Sequence, residues 1–243
     1  MTLFLASVRN AREAELALAI GADIIDLKEP RDGALGAVTA ETVRDCVRAV
    51  GRRGIVSATV GDVPMDAGTL QDAGQQLHAL GVDYVKLGVF PCERAEEAMR
   101  CLDQLARRVK LIFVLFADAL PNFDAIALAS RIGAHGVMLD TKTKGDGSLL
   151  EYLPVETLSA FVVNARSEGL LVGLAGSLRA KHVAPLLAIA PDLLGFRGAL
   201  CRQQERGGTL DPEACTAIRN LIPRAPRTVS KRPAASADAP AVC

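Results

Sequence analysis

The sequence predicts an α/β protein of the (β/α)8 TIM-barrel class, built as a single domain. Three observations carry this. Eight short aliphatic and β-branched runs alternate with stretches whose apolar residues recur at helical spacing. The chain has 243 residues, half of them apolar, enough for one large α/β domain with a sizeable core. No GxGxxG opens the first helix, as the competing doubly wound open sheet would want of a dinucleotide fold.

The strand-like runs, in order, are LFLAS (3–7), DIIDLK (23–28), IVSATV (55–60), DYVKLG (83–88), KLIFVLF (110–116), GVMLD (136–140), LLVGLAG (170–176) and LLGFRG (193–198). Between them lie amphipathic stretches such as AREAELALAIG, AETVRDCVRAVG, ERAEEAMRCLDQLARR and VETLSAFVVNARSEG, several of which stop at glycine. DPEACTAIRNLIP closes the series, with Asp211 as helix cap and Pro212 in the first turn. The barrel is assigned to residues 1–221. Residues 222–243, rich in Pro, Ala and Ser without apolar periodicity, are expected to form a disordered tail.

Composition narrows the function. The 28 basic and 28 acidic side chains cancel, which argues for a small-molecule ligand and gives no reason to invoke nucleic acid or a membrane. Six cysteines, at 46, 92, 101, 201, 215 and 243, show no CxxC pair and no histidine at metal-ligand spacing, so they read as free thiols in a reducing compartment, with no metal. Arg9 ends the apolar run of MTLFLASVR and no basic residue precedes it, so no secretory signal is expected; no apolar span of membrane length occurs either. A cytoplasmic location follows. Barrels of this kind often form homo-oligomers, and no interface motif here decides the point.

In such barrels the active site forms at the C-terminal ends of the strands. Strand side chains alternate, so Ile24, Asp26 and Lys28 share one face of the second strand while Ile25 and Leu27 share the other. Lys86 shares a face with Tyr84 and Gly88, opposite the apolar Val85 and Leu87. The apolar faces suit packing against helices, so both amines should point inward. Lysine is scarce, with only Lys28, Lys86, Lys110, Lys142, Lys144, Lys181 and Lys231 present. The sixth strand ends in Asp140, followed by TKTKGDG with Lys142 and Lys144. An ammonium buried near a second one has its pKa lowered, and the free amine can attack a carbonyl to form a Schiff base, with the carboxylates moving protons. The plainer alternative pairs Lys28 with Asp26 and Lys86 with Asp140 as structural ion pairs plugging the barrel.

LAGSLR (174–179) and FRGALC (196–201) set Gly176 and Ser177 after the seventh strand, and Arg197, Gly198 and Ala199 at the end of the eighth. Phosphate-binding barrels hold an anion on backbone N–H groups there, where small residues let the backbone approach. Tight βα turns are the competing explanation for the glycines. His78, His135 and His182 are scattered without partner spacing and read as surface or helix-end residues. Asp62, in SATVGDVP, suits either a loop over the site or a simple Gly-Asp turn. Ser7 and Arg9 follow the first strand as candidate substrate contacts, and Lys142 reads as a solvated loop residue.

Taken together, DIIDLKEP…GALG, SATVGDVP, DYVKLG, MLDTKTK, LAGSL and FRGA resemble, over roughly residues 2–220, the (5-formylfuran-3-yl)methyl phosphate synthase family of methanofuran biosynthesis. The resemblance implies a (β/α)8 barrel that needs no metal or organic cofactor. It implies a lyase that condenses two molecules of glyceraldehyde 3-phosphate, loses one phosphate and water, and releases a phosphorylated furan aldehyde. By motif, Lys28 would be the Schiff-base lysine and Lys86 the proton acceptor, with Asp26, Asp140 and Lys144 in support. Two other readings stay open: a class I aldolase acting on another phosphorylated aldehyde, and a noncatalytic barrel that binds a phosphate ligand.

Overall fold

The alternation of inward and outward side chains closes the strands into a barrel. The structure, a computed structural model, describes residues 1–143 and 147–224. Eight parallel strands run β1 (Leu3–Val8), β2 (Ile24–Leu27), β3 (Ile55–Thr59), β4 (Tyr84–Gly88), β5 (Lys110–Phe116), β6 (Gly136–Asp140), β7 (Leu171–Leu174) and β8 (Leu193–Phe196). Each pairs with the next, and β8 pairs with β1 through Leu3↔Leu193 and Ala6↔Phe196. The open-sheet alternative is therefore excluded, because no edge strand is left.

The helices are α1 (Ala11–Ile20), α2 (Ala40–Val50), α3 (Ala67–Ala79), α4 (Ala95–Arg100), α5 (Asp103–Ala106), α6 (Asp124–Arg131), α7 (Leu149–Tyr152), α8 (Val155–Ser167), α9 (Ala180–Ala188) and α10 (Pro212–Leu221). Their ends follow local chemistry. Asn10 accepts from the Glu13 N–H at 3.0 Å while the Glu13 carboxylate accepts from Arg9 N, a reciprocal cap that starts α1. Asp211 caps α10 by accepting from Glu213 N, with Pro212 in the first turn as the sequence predicts. The stretch 93–108, which reads as one helix, is divided instead into α4 and α5. Leu102 N–H donates three residues back, to Met99, and this tightened turn rotates both Leu102 and Leu105 fully into the core.

The two faces of the strands form two apolar layers. Ile25, Leu27, Val85 and Leu87 pack outward beneath the helices, as expected from their alternation. Leu5, Ile24, Tyr84, Ile112, Met138 and Leu193 fill the barrel interior below the site. At the opposite end from the site, His135 lies beside the Tyr84 ring, centroids 5.0 Å apart, and Lys110 sits over the same ring. Among the described residues, no helix is long and apolar enough to cross a membrane.

The last helix is locked by a buried cation. The Arg219 side chain, 1% exposed, donates to Asp23 Oδ2 at 3.0 Å, to the Gly21 carbonyl, and to the carbonyls of Ile222 and Pro223. It thus ties α10 to the turn between α1 and β2. Ile222, placed by its composition at the head of the expected tail, is buried; the rest of that stretch, from 225 on, lies outside the described residues. Arg219→Ala is expected to lower unfolding stability by roughly 3 kcal/mol, because it removes the cation paired with Asp23 and leaves several carbonyls without their donor. Arg53→Ala, which opens a solvent-exposed pair with Glu15, should leave the urea midpoint nearly unchanged. Equal midpoints for the two variants would contradict this account.

Candidate active site

Strand register places the charged residues before any long-range contact is considered. Ser7 on β1 and Ser57 on β3 are the lateral neighbours of Asp26 on β2, and all three point inward. Asp26 accepts from Ser7 Oγ at 2.9 Å and from Ser57 Oγ at 2.6 Å. Lys86 on β4 reaches past β3 to Asp26 Oδ1 at 2.5 Å. Lys28, one residue beyond β2, crosses the mouth to Asp140 Oδ2 at 3.2 Å. Asp140 also accepts from the Thr141 N–H at 2.7 Å.

The pairing is crossed relative to the one that simple proximity along the chain suggests. Lys28 pairs with Asp140, not Asp26, and Lys86 pairs with Asp26, not Asp140. The reason is depth. Asp26 and Lys28 are two residues apart on an extended chain, so Lys28 stands about 7 Å further along the tilted strand and nearer the mouth. Asp26 is engaged in the lower layer by two hydroxyls and Lys86, whereas Asp140 ends β6 in the upper layer, within reach of a lysine stem.

All four side chains are sequestered, between 1% and 10% exposed. For Lys86 burial outweighs the pairing. Desolvation pushes its pKa below the ordinary lysine value, the Lys28 ammonium pushes the same way, and Asp26 and Asp140 oppose them. Lys86 accordingly gives up its proton more readily than an ordinary lysine.

A cavity of about 470 Å³ opens above these residues. Its walls include Ser7, Asp26, Lys28, Lys86 and Asp140, and, after β7 and β8, Gly176, Ser177, Arg197 and Gly198. Ala199 is buried and does not line it. Gly176 takes φ +109° and lies against the backbone at 140–141, where a Cβ would come within 3.0 Å of Thr141 N. At Gly198 a Cβ would lie 2.7 Å from the Arg179 guanidinium, so glycine there lets the arginine approach the β8 turn.

Arg197 lies at the cavity, but its guanidinium is engaged. It donates to Glu13 Oε2 at 2.6 Å and to the carbonyls of Ser7, Arg206 and Gly208. Arg9 turns towards Glu13, 3.8 Å away, and is not on the cavity wall. Asp62 accepts from the N–H groups of Ala34 and Leu35, both at 2.7 Å, and so straps the β2 loop to the β3 loop. Lys142 is exposed, its N–H held by Asp118 and its ammonium 5.8 Å from the Phe90 ring centroid. Lys144 lies outside the described residues.

Several cavity residues escape a strand-end reading, among them two arginines and a histidine. Arg179 and Arg206 line the cavity from loops, and His182 does so from the first turn of α9. His182 is buried rather than a plain helix-end residue. Its Nδ1 accepts from the Arg179 N–H at 3.1 Å, which assigns the proton of the neutral ring to Nε2, and burial lowers its pKa. Arg179 carried a usable signal, two residues beyond Ser177. Arg206 carried none, being deep in a long loop. Burial pushes the Arg206 guanidinium below its ordinary range, with Asp140 the leading charge that opposes this. Among the described residues, no group of three or more His, Cys, Asp or Glu is placed to hold a metal ion.

A closed parallel barrel with paired lysines and carboxylates at the C-terminal mouth defines the class as a (β/α)8-barrel enzyme. The family model described as 4-HFC-P synthase matches residues 4–219, and the chain belongs to that family. Its relatives include the (5-formylfuran-3-yl)methyl phosphate synthases of Methanobrevibacter smithii, 34% identical, and Methanocaldococcus jannaschii, 33% identical. Each alignment spans 90% of this chain and at least 98% of the relative. A homologue from Methylorubrum extorquens is 40% identical over 85% of this chain and 86% of its own length. Among solved structures, phosphoribosyl anthranilate isomerase from Thermus thermophilus superposes with a TM-score of 0.63 at 18% identity, over 91% of this chain and 98% of its own. A 3-hexulose-6-phosphate synthase superposes with a TM-score of 0.62 at 18% identity, over 92% of this chain and all of its own. At these identities the likeness is one of fold.

The crossed pairing makes a direct prediction. Asp26→Asn removes the carboxylate that most raises the proton affinity of Lys86, so Lys86 should lose its proton at lower pH than in the wild type. An NMR titration of 15N-lysine-labelled protein reads this; an unchanged or higher midpoint would refute the assignment.

Proposed function

We propose that the protein is a carbon–oxygen lyase that condenses two molecules of glyceraldehyde 3-phosphate into (5-formylfuran-3-yl)methyl phosphate for methanofuran-type cofactor biosynthesis. Atom balance requires the loss of one phosphate and two waters. The observation that carries the reading is the pair of sequestered lysines, each beside its own carboxylate, on the floor of one cavity. Membership of the 4-HFC-P synthase family favours the furan product over simple aldol chemistry.

Lys28 attacks the carbonyl of the first triose phosphate and expels water to form a Schiff base, with Asp140 at 3.2 Å placed to exchange the protons of that step. The imine acidifies the neighbouring carbon. Lys86, held by Asp26 and depressed in proton affinity by burial, takes that proton. The resulting carbon nucleophile attacks the second aldehyde; a hydroxyl of the adduct then closes the ring on the imine carbon and expels the Lys28 amine, and elimination of phosphate and the second water gives the furan. Lys144 supports the second substrate or its leaving phosphate in this scheme.

The first phosphate is assigned to the wall formed by Gly176, Ser177 and Gly198, with Arg197 bracing the β8 turn. Gly176 and Ser177 lead into α9, whose N-terminus favours an anion. A cytoplasmic setting suits the free thiols at Cys46, Cys92, Cys101, Cys201 and Cys215. A class I aldolase would share the imine but stop at the carbon–carbon bond.

Incubation with glyceraldehyde 3-phosphate should yield a furan chromophore and free phosphate together; an aldol product without phosphate release would replace this reading with the aldolase. Borohydride should trap a covalent adduct that maps to the peptide bearing Lys28 and disappears in Lys28→Ala. Reversible binding with no adduct would point to a noncatalytic barrel. Lys86→Ala should lower turnover by at least about 100-fold while sparing triose binding, and near-normal turnover would remove Lys86 from the mechanism.

A further inference from the structure

We infer that Arg206 binds the phosphate of the second triose phosphate, the one that does not bond to Lys28, and that the Glu13–Arg197 pair positions it. This rests on the condensation proposed above and adds the residue that receives the acceptor aldehyde.

After β8 the chain leaves the barrel, forms an isolated antiparallel bridge between Cys201 and Leu210, and returns over the mouth. Short 3-10 turns at Gly198–Leu200 and Arg202–Gln204 shape its first half. The second half is set by one side chain. Arg197 donates from Nε to the Arg206 carbonyl at 2.9 Å and from Nη2 to the Gly208 carbonyl at 2.6 Å, while Glu13 anchors the same guanidinium. Arg206 Nη2 then reaches the Gly33 carbonyl at 3.3 Å, bringing it against the loop that follows Lys28.

Arg206, half-buried, differs in its charge partners from the buried cations at the mouth. Lys28 has Asp140, Lys86 has Asp26 and Arg197 has Glu13. Arg206 lines the cavity, yet among the described residues no carboxylate lies at ion-pair distance from it, and its side chain makes a single hydrogen bond. A guanidinium presents five donors in a rigid fork suited to phosphate, and the half-buried Arg206 keeps most of those donors unspent at the cavity wall. Arg179 is the other cavity guanidinium without a carboxylate, and it adjoins Gly198 in the wall assigned to the first phosphate. Two unneutralised arginines thus serve one cavity that must hold two phosphorylated trioses. Arg206, nearer the Lys28 loop, is left for the second.

The test uses the full chain, its Arg206→Ala and Arg206→Lys variants, and glyceraldehyde 3-phosphate as probe. In Arg206→Ala the borohydride-trapped adduct on Lys28 should form to the wild-type extent, because the first triose still binds. Release of furan and phosphate should fall at least about tenfold, with partial recovery in Arg206→Lys. Glu13→Gln should show the same split between adduct and product in milder form. Product formation in Arg206→Ala within about twofold of wild type would overturn the inference. So would parallel loss of adduct and product in both Arg206 variants, which would assign the residue to the first triose or to folding. An unmodified Lys28 in the wild type would overturn the condensation reading and this inference together, and is told apart from failure of Arg206 alone, where the wild type is trapped normally.

Discussion

Two ammonium groups held out of water in one barrel mouth set the terms for everything around them. Each is tolerable only beside a carboxylate, and the structure supplies one apiece, at different depths. Asp26 can serve the lower lysine because the hydroxyls of Ser7 and Ser57, its neighbours in register, flank it. The upper lysine is left to Asp140, on the far side of the mouth. This layering keeps Lys28 and Lys86 from competing for one partner and sets them at different depths of the same cavity.

A second use of carboxylates recurs around the rim. Asp62 grips two N–H groups of the β2 loop, Asp118 grips those of Lys142 and Thr143, and Glu13 caps α1 while anchoring Arg197. In the first two an acidic side chain on one βα loop fixes the backbone of another; in the third Glu13, on α1, holds the Arg197 guanidinium, which binds the Arg206 and Gly208 carbonyls. Loops that would otherwise be independent become a connected collar, so cavity residues borne on loops inherit the rigidity of the strands beneath them. This is how Arg206, far from any strand, is held at the cavity.

Much of the site was legible because strands are periodic. Once the second and fourth strands are recognised, alternation alone sends Asp26, Lys28 and Lys86 inward, and the outward Ile25, Leu27, Val85 and Leu87 agree. Asp140 and Gly176 follow from the rule that barrel sites lie at strand C-termini. The pairings were not legible, since which carboxylate meets which amine depends on depth and side-chain reach across the barrel. His182 was misjudged for a similar reason: its burial comes from neighbours on other loops.

By itself the sequence determined the number and order of the βα units, the inward face of each strand and the placing of two lysines at the barrel mouth, because these follow from local periodicity and strand position. Only the tertiary structure decided the crossed ion pairs, the engagement of Arg197 by Glu13 and the arrival of Arg179 and Arg206 at the cavity. Those features join residues distant along the chain, such as Glu13 and Arg197, through closure of the barrel and folding of its loops, and no local pattern encodes such distances.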